Sequence, residues 1–312
     1  MQNLIISFGV VMPLFIMLAL GYGIKSLKML SDDALLQINN VCFRVFLPLL
    51  LFVNIYKTDL NSVFSPKLML FAIIAVILIF LITSFIICRI EKNNMRRGVL
   101  IQAIFRSNFV IFGVPICISL YGESVAGAPS LVAAIIVPMY NALAVIALSA
   151  FSGQKFNLKR TVLEIVKNPL IIASAISVIL LLSHVKLPHV IVSCAEDLAK
   201  VATPLALVIL GASFQFSNVK SNLRSIIIGV AGKLIIVPAV ALPIAVALGF
   251  RGVDLVVCLA MFTAPTAVSS FTMAQQMNAD SELAGELVVF SAFFSIITIF
   301  GFVFVLKHFM LI

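Results

Sequence analysis

The sequence predicts an all-α integral membrane protein of about ten transmembrane helices, arranged as two inverted five-helix repeats whose fourth helices are broken. Three observations predict it. Hydrophobic residues fill 62% of 312 positions and charged residues 11%, with mean hydropathy +1.22, against roughly 45–50% and 25% in soluble domains. Apolar runs of about 20 residues, the length that crosses a hydrocarbon core, recur along the whole chain. A strongly basic connection, Phe151 to Arg160, divides those runs five and five, and an odd number of crossings per half inserts the second half upside down.

The runs lie near 4–24, 34–56, 68–88, 98–120 and 128–151, then near 167–184, 198–216, 225–249, 254–275 and 285–306. They give a first repeat over 1–151, a cytoplasmic linker over 152–166 and an inverted second repeat over 167–312. The first run is too long for a signal-peptide core and has no basic residue before it, so it is expected to stay as the first span. Alternate connections differ about twofold in Lys and Arg. The richer set holds Lys25, Lys28, Arg89, Lys92, Arg96, Arg97, Lys155, Lys159, Arg160, Lys167, Lys220 and Arg224. The poorer set holds Lys57, Lys67, Lys186, Lys200, Arg251 and Lys307. The richer set is expected to face the cytoplasm, which puts both termini outside the cell membrane for an even span count.

The net charge of +9 comes from clusters between apolar runs, with no continuous basic face, so no nucleic-acid partner is expected. Cys42, Cys88, Cys117, Cys194 and Cys258 are odd in number and widely spaced, which suits small packing residues better than a disulfide framework or a metal site. His184, His189 and His308 lie near loops or a span end and show no metal-ligand spacing. No cofactor motif and no set of nucleophile, base and acid can be named, so an enzyme is not expected.

The fourth run contains "RSNFVIFGVPI", Arg106 to Ile116, and the ninth contains "FTAPTAVSS", Phe262 to Ser270. Proline removes a backbone donor and clashes with the preceding turn, so Gly113 with Pro115, and Pro265, are expected to break their helices. Hydrocarbon satisfies none of the freed groups, which must face protein or a polar cavity. Carriers built from inverted repeats place substrate near mid-membrane at such paired discontinuities. Pro13, Pro48, Pro138, Pro204, Pro238 and Pro243 read as kinks.

Arg106 lies nine residues past Arg97, a rise of about 13.5 Å, near the middle of a roughly 30 Å core. Arg44 and Lys233 reach similar depth, and no Asp or Glu is evident at that level. Each such cation costs about 2.5–3.5 kcal/mol on the lenient insertion scale, a cost that an organic anion would offset. Arg44 and Lys233 have an equal second reading, as snorkelling side chains or as donors to carbonyls beside Pro48 and Pro238. Asn108 both donates and accepts without a charge cost and is the first choice for substrate contact. Asn141, Gln275 and Gln276 either add polar contacts or act as glue between helices. The candidate substrate-binding set is therefore Arg106, Asn108, Gly113, Pro115, Asn141, Pro265, Thr266, Ser269 and Gln275.

Four motifs occur in order along essentially the whole chain: "FLPLLLF" with Pro48, the Asn108, Gly113 and Pro115 set, "VKNPLII" with Asn168 and Pro169, and "TAPTAV" with Pro265. Together they resemble the auxin efflux carrier family of plant exporters and bacterial malate or malonate permease-like proteins. The resemblance implies that the broken fourth and ninth helices cross at the substrate site. It also implies a scaffold of helices 1, 2, 6 and 7 that pairs two copies as a homodimer, and a moving transport domain made of the others. Plant members carry a long regulatory region after the fifth helix where this chain has only the short basic loop. The "TAPTAV" stretch resembles the bacterial branch, so auxin as substrate and regulation through that loop are not expected.

The expected function is a secondary transporter moving small organic anions, such as mono- or dicarboxylates, across the bilayer by alternating access. A proton relay needs a buried Asp, Glu or His, and none is evident deep in a span. Electrogenic export down the inside-negative potential therefore ranks ahead of cation-coupled symport, although a sodium site made of carbonyls would leave no mark in the composition. A receptor or channel without alternating access is the other class that a polar helix bundle allows.

Overall fold

In hydrocarbon each backbone N–H must find its acceptor inside the protein, and a helix meets that demand within its own segment. The structure, a computed structural model, describes residues 2–58, 65–151, 158–215 and 219–312, and these are helical almost throughout. Residues 152–157, most of the predicted linker's first half including Lys155, lie outside the described residues, as do the side chains of Lys159 and Arg160.

The first half comprises α1 (Gln2–Ser26), α2 (Asp32–Val41), α3 (Leu47–Tyr56), α4 (Pro66–Ile90), α5 (Asn94–Phe105), α6 (Val114–Tyr121) and α7 (Gly127–Ala150). After α8 (Leu158–Lys167), which makes the rest of the predicted linker helical, the chain continues as α9 (Pro169–Leu182), α10 (His189–Ser213), α11 (Val219–Ala231), α12 (Val237–Ala247), α13 (Gly252–Thr263), α14 (Ser269–Gln276) and α15 (Ser281–His308). Starts follow capping chemistry. The side chains of Ser31, Ser65, Asn93, Asn168 and Asp280 each accept an N–H of the first turn they open.

Each of the ten predicted spans falls mainly on helix among the described residues. Among the described residues, five stretches are long and apolar enough to cross a membrane unaided: Asp32–Tyr56, Pro66–Ile90, Gly127–Ala150, Val219–Ala247 and Ser281–His308. The seventh span begins nine residues earlier than its apolar run, at His189. Glu196, Asp197 and Lys200 interrupt the hydropathy there without interrupting the helix, because they pair outward with Lys57 and with each other.

Three helices carry the same device upstream of a proline. A five-residue π turn covers Cys42–Phe46, Phe109–Gly113 and Gly232–Ile236, and Pro48, Pro115 and Pro238 each stand two residues beyond it. The intervening N–H of Leu47, Val114 or Val237 reaches back five residues, to Cys42, Phe109 or Gly232. The wider turn accommodates the proline ring while the helix runs on. Gly113 and Pro115 therefore do not break the fourth span, contrary to the expectation from sequence.

The first and seventh spans touch backbone to backbone. A Cβ on Gly21 would overlap the Val208 carbonyl, and one on Gly211 would overlap that of Leu18, the close approach that small residues allow between membrane helices. At the centre of the bundle, every residue from Gly98 to Phe105 of α5 and from Leu255 to Thr263 of α13 is buried. Both helices are enclosed on all faces and end at mid-molecule. Of the cysteines read as packing residues, Cys42, Cys117 and Cys258 are buried, whereas Cys88 is half-buried and Cys194 exposed.

Candidate functional site

The fourth span breaks at Arg106–Asn108, seven residues before Gly113 at its first residue. Arg106 closes α5 with its N–H on Gln102 O, then turns to extended backbone at φ −88° and ψ 124°. The ninth span breaks between Thr263 and Ser269, and so contains Pro265 as expected. The two breaks lie side by side. Ser107 and Thr266 form an antiparallel bridge, and Asn108 N donates to Pro265 O at 2.8 Å.

The freed carbonyls are capped by hydroxyls. Ser107 Oγ donates to Met261 O at 2.6 Å and Thr266 Oγ1 to Ala103 O at 2.9 Å. Thr266 N donates to Ser291 Oγ of α15 at 3.1 Å. Lys233, 1% exposed, donates its ammonium to Ser107 Oγ, so it neither snorkels to the surface nor uses this bond on a carbonyl beside Pro238. It braces the break from behind. Arg44 is exposed on the π turn before α3, as a snorkelling side chain would be.

A cavity of about 70 Å³ opens on one side of the breaks. Arg106, Ser107, Asn108, Tyr140, Asn141 and Ser269 line its polar wall. Leu47, Leu51 and Asn54 of α3, Leu170 of α9, and Thr203 and Ala206 of α10 form the facing wall. The buried Arg106 guanidinium donates to Asn141 Oδ1 at 2.6 Å and to Ser269 Oγ at 2.7 Å. Because Asn141 gives its oxygen to arginine, its Nδ2 is left over. Asn54, Asn108 and Asn141 each bury an Nδ2 that has no acceptor among the described residues. The described lining contains no Asp or Glu. The wall therefore offers donors and one cation, with no carboxylate to consume them.

Of the predicted set, the structure brings Arg106, Asn108, Asn141 and Ser269 to this cavity. Pro265 and Thr266 lie in the bridge behind it. Gly113 and Pro115 are in the continuous helix beyond. Gln275 is away from the cavity wall and accepts from Asn39 Nδ2 of α2, the role of glue between helices that the sequence left open. Asn54, Ser107, Tyr140 and Thr203 were missed. Ser107 stood inside the quoted motif, whereas nothing in the local sequence of Asn54 or Thr203 aims them at the fourth span.

Glu286 was not singled out from sequence. It lies near the start of the tenth span, in α15, and so not deep along the span, yet it is 1% exposed because neighbouring helices bury it. A larger groove along α4, α11 and α12 is lined by apolar side chains apart from Lys67 and Thr83 and offers nothing for a polar solute.

A multi-pass helical bundle that opens two of its helices around a buried polar cavity is the architecture of a membrane transporter. The chain belongs to the membrane transport protein family, whose model matches residues 6–159 and 154–303. It is 23% identical over 303 residues to an uncharacterized transporter of Methanocaldococcus jannaschii, covering 94% of this chain and 97% of the relative. It is 24% identical over 304 residues to an uncharacterized transporter of Methanothermobacter thermautotrophicus, covering 94% and 96%.

Proposed function

We propose that the protein is an alternating-access carrier of small organic anions, mono- or dicarboxylates, which bind in the cavity at the two breaks. The observation that carries this reading is the donor excess of the wall. Three amide Nδ2 groups without acceptors and a buried guanidinium line a cavity whose described residues include no acid. Unsatisfied buried donors cost roughly 1–3 kcal/mol each, and a carboxylate accepts from several of them at once. The small cavity suits a compact acid.

Alternating access is supported by what the cavity separates. One wall belongs to α3, α9 and α10, in the second, sixth and seventh spans, and the other to the broken spans and α7. These are the scaffold and moving groups that the family resemblance implies, with two copies joined through the first group. The inverted relation of the halves is supported by the matching place of the breaks, each in the fourth span of its half. The Lys and Arg asymmetry supports placing the basic connections in the cytoplasm and both termini outside the cell membrane. Export ranks ahead of symport on the want of an acid deep in a span, and Glu286, buried near the start of its span, gives cation-coupled symport a candidate group of its own.

The test is counterflow in liposomes reconstituted with purified protein and challenged with a panel of mono- and dicarboxylates. Accelerated exchange of at least one of them is expected, since a channel or receptor does not give exchange acceleration. Conductive flux without exchange, or no flux of any carboxylate, would overturn the reading.

A further inference from the structure

We propose that Glu286 is the site at which the carrier binds a coupling proton. The inference rests on the reading of the chain as a carrier and adds the ion that travels with the substrate.

The carboxyl of Glu286 is enclosed and poorly partnered. Its Oε2 accepts from Asn222 Nδ2 at 2.8 Å, and its Oε1 has no partner among the described residues. The nearby cation is committed elsewhere: Arg96 donates Nε to Asp280 Oδ2 at 3.1 Å and a terminal nitrogen to Asn222 Oδ1 at 2.7 Å. Asn222 thus stands between guanidinium and carboxyl with both ends of its amide used. A buried carboxylate with one donor and no paired cation is costly, and a bound proton cancels its charge.

The other charged groups around it are on the page. Glu282 of α15 and Asp280 just before it are like charges, and Arg96 of α5 is the opposite one. Glu91, at the end of α4, is held near Ser225 of α11 at 3.5 Å. Lys220 and Arg224 of α11 are exposed, and Lys25 of α1 is engaged by Asp32. None of these three cations pairs with Glu286 among the described ion pairs.

The position also links to the substrate site, because each of the three helices that meet at Glu286 ends at or contacts one of the breaks. α5 carries Arg96 and ends at Arg106. α11 carries Asn222 and leads into the π turn whose Lys233 donates to Ser107. α15 carries Glu286 and, five residues on, the Ser291 that accepts from Thr266 N, about 7.5 Å further along the axis. Gaining or losing a charge at Glu286 alters the packing forces among all three at once. The carboxyl takes its proton from the water at the end marked by Arg96 and Arg97, is carried neutral with the moving group of helices, and is left anionic when access reverses and the proton is released on the opposite side.

The experiment uses the purified full chain in liposomes loaded with a pH-sensitive dye, with the carboxylate that gives the strongest counterflow. Wild-type protein is expected to move protons in the direction of the anion, and an imposed pH gradient is expected to drive accumulation of the anion. Glu286→Gln is expected to lose substrate-dependent proton movement, and Glu286→Asp to retain it at a reduced rate. Net uptake of the anion by wild-type protein without proton movement would overturn the proposal while leaving the carrier intact, whether or not the variants fold. Proton movement persisting in Glu286→Gln would also overturn it. Absence of counterflow with every carboxylate would remove the carrier reading and the proposal with it.

Discussion

Ser107 and Thr266 stand opposite each other as an antiparallel bridge, and each hydroxyl caps a carbonyl in the last turn of the other's helix, Met261 for Ser107 and Ala103 for Thr266. Two helix ends that hydrocarbon would leave unsatisfied are thereby closed by one another. Removing either hydroxyl strands a buried carbonyl. Ser107→Ala and Thr266→Ala are expected to destabilise the protein by about 1–3 kcal/mol each, with Ser107→Ala the worse because Lys233 also loses its acceptor. Thermal unfolding in detergent measures this, and equal stability of both variants with wild type would refute the reciprocal caps.

The two prolines of the motifs differ in what they do. Pro265 lies in a true break and presents its carbonyl to Asn108 N, whereas Pro115 follows a π turn within continuous helix. Pro265→Ala is expected to impair transport strongly and Pro115→Ala less, because the helix at Pro115 stays continuous without the ring and the change reaches the cavity only through the π-turn residues Phe109, Val110 and Ile111. Initial counterflow rates separate the cases. Equal losses would show that the π turn is itself part of the site.

That difference shows how far the sequence could be read. A glycine followed by a proline announces a lost donor, and both breaks were sought in the right spans for that reason. Yet one extra residue in the turn accommodates the ring at Pro115, and the actual opening is marked by Arg106, Ser107 and Asn108, whose polarity was visible in the same stretch. Arg106, Asn108, Asn141 and Ser269 were legible because polar groups in an apolar run must face something. Asn54 and Thr203 were not, since only tertiary packing carries α3 and α10 against the break. Glu286 was missed because it lies near the start of its span, where linear depth is small, and neighbouring helices rather than sequence position bury it.

Arg106 is held by Asn141 and Ser269 rather than by an acid, so its charge remains available to a ligand. Charge-assisted hydrogen bonds contribute about 1.5–3 kcal/mol, so Arg106→Gln is expected to weaken carboxylate transport by roughly 10- to 100-fold. Arg106→Lys should recover only part of it, because an ammonium lacks the planar fork that engages Asn141, Ser269 and a carboxylate together. Transport at wild-type rate by the Gln variant would reduce Arg106 to a structural residue.

Gly21 and Gly211 let α1 and α10 meet at backbone distance. Gly211→Leu is expected to separate the two helices and lower the yield of folded protein, with little change in the specific activity of what remains. Fluorescence-detected size exclusion reports the folded fraction, and an unchanged profile would contradict the close packing.

The most direct test is a structure of the protein with the carboxylate that gives the strongest counterflow, read together with equilibrium binding to wild type and to Asn108→Ala. The account predicts carboxylate oxygens within about 2.7–3.2 Å of the amide nitrogens of Asn108 and Asn141, and a large loss of affinity in the variant. A carboxylate bound away from the breaks, or bound equally well without Asn108, would contradict it.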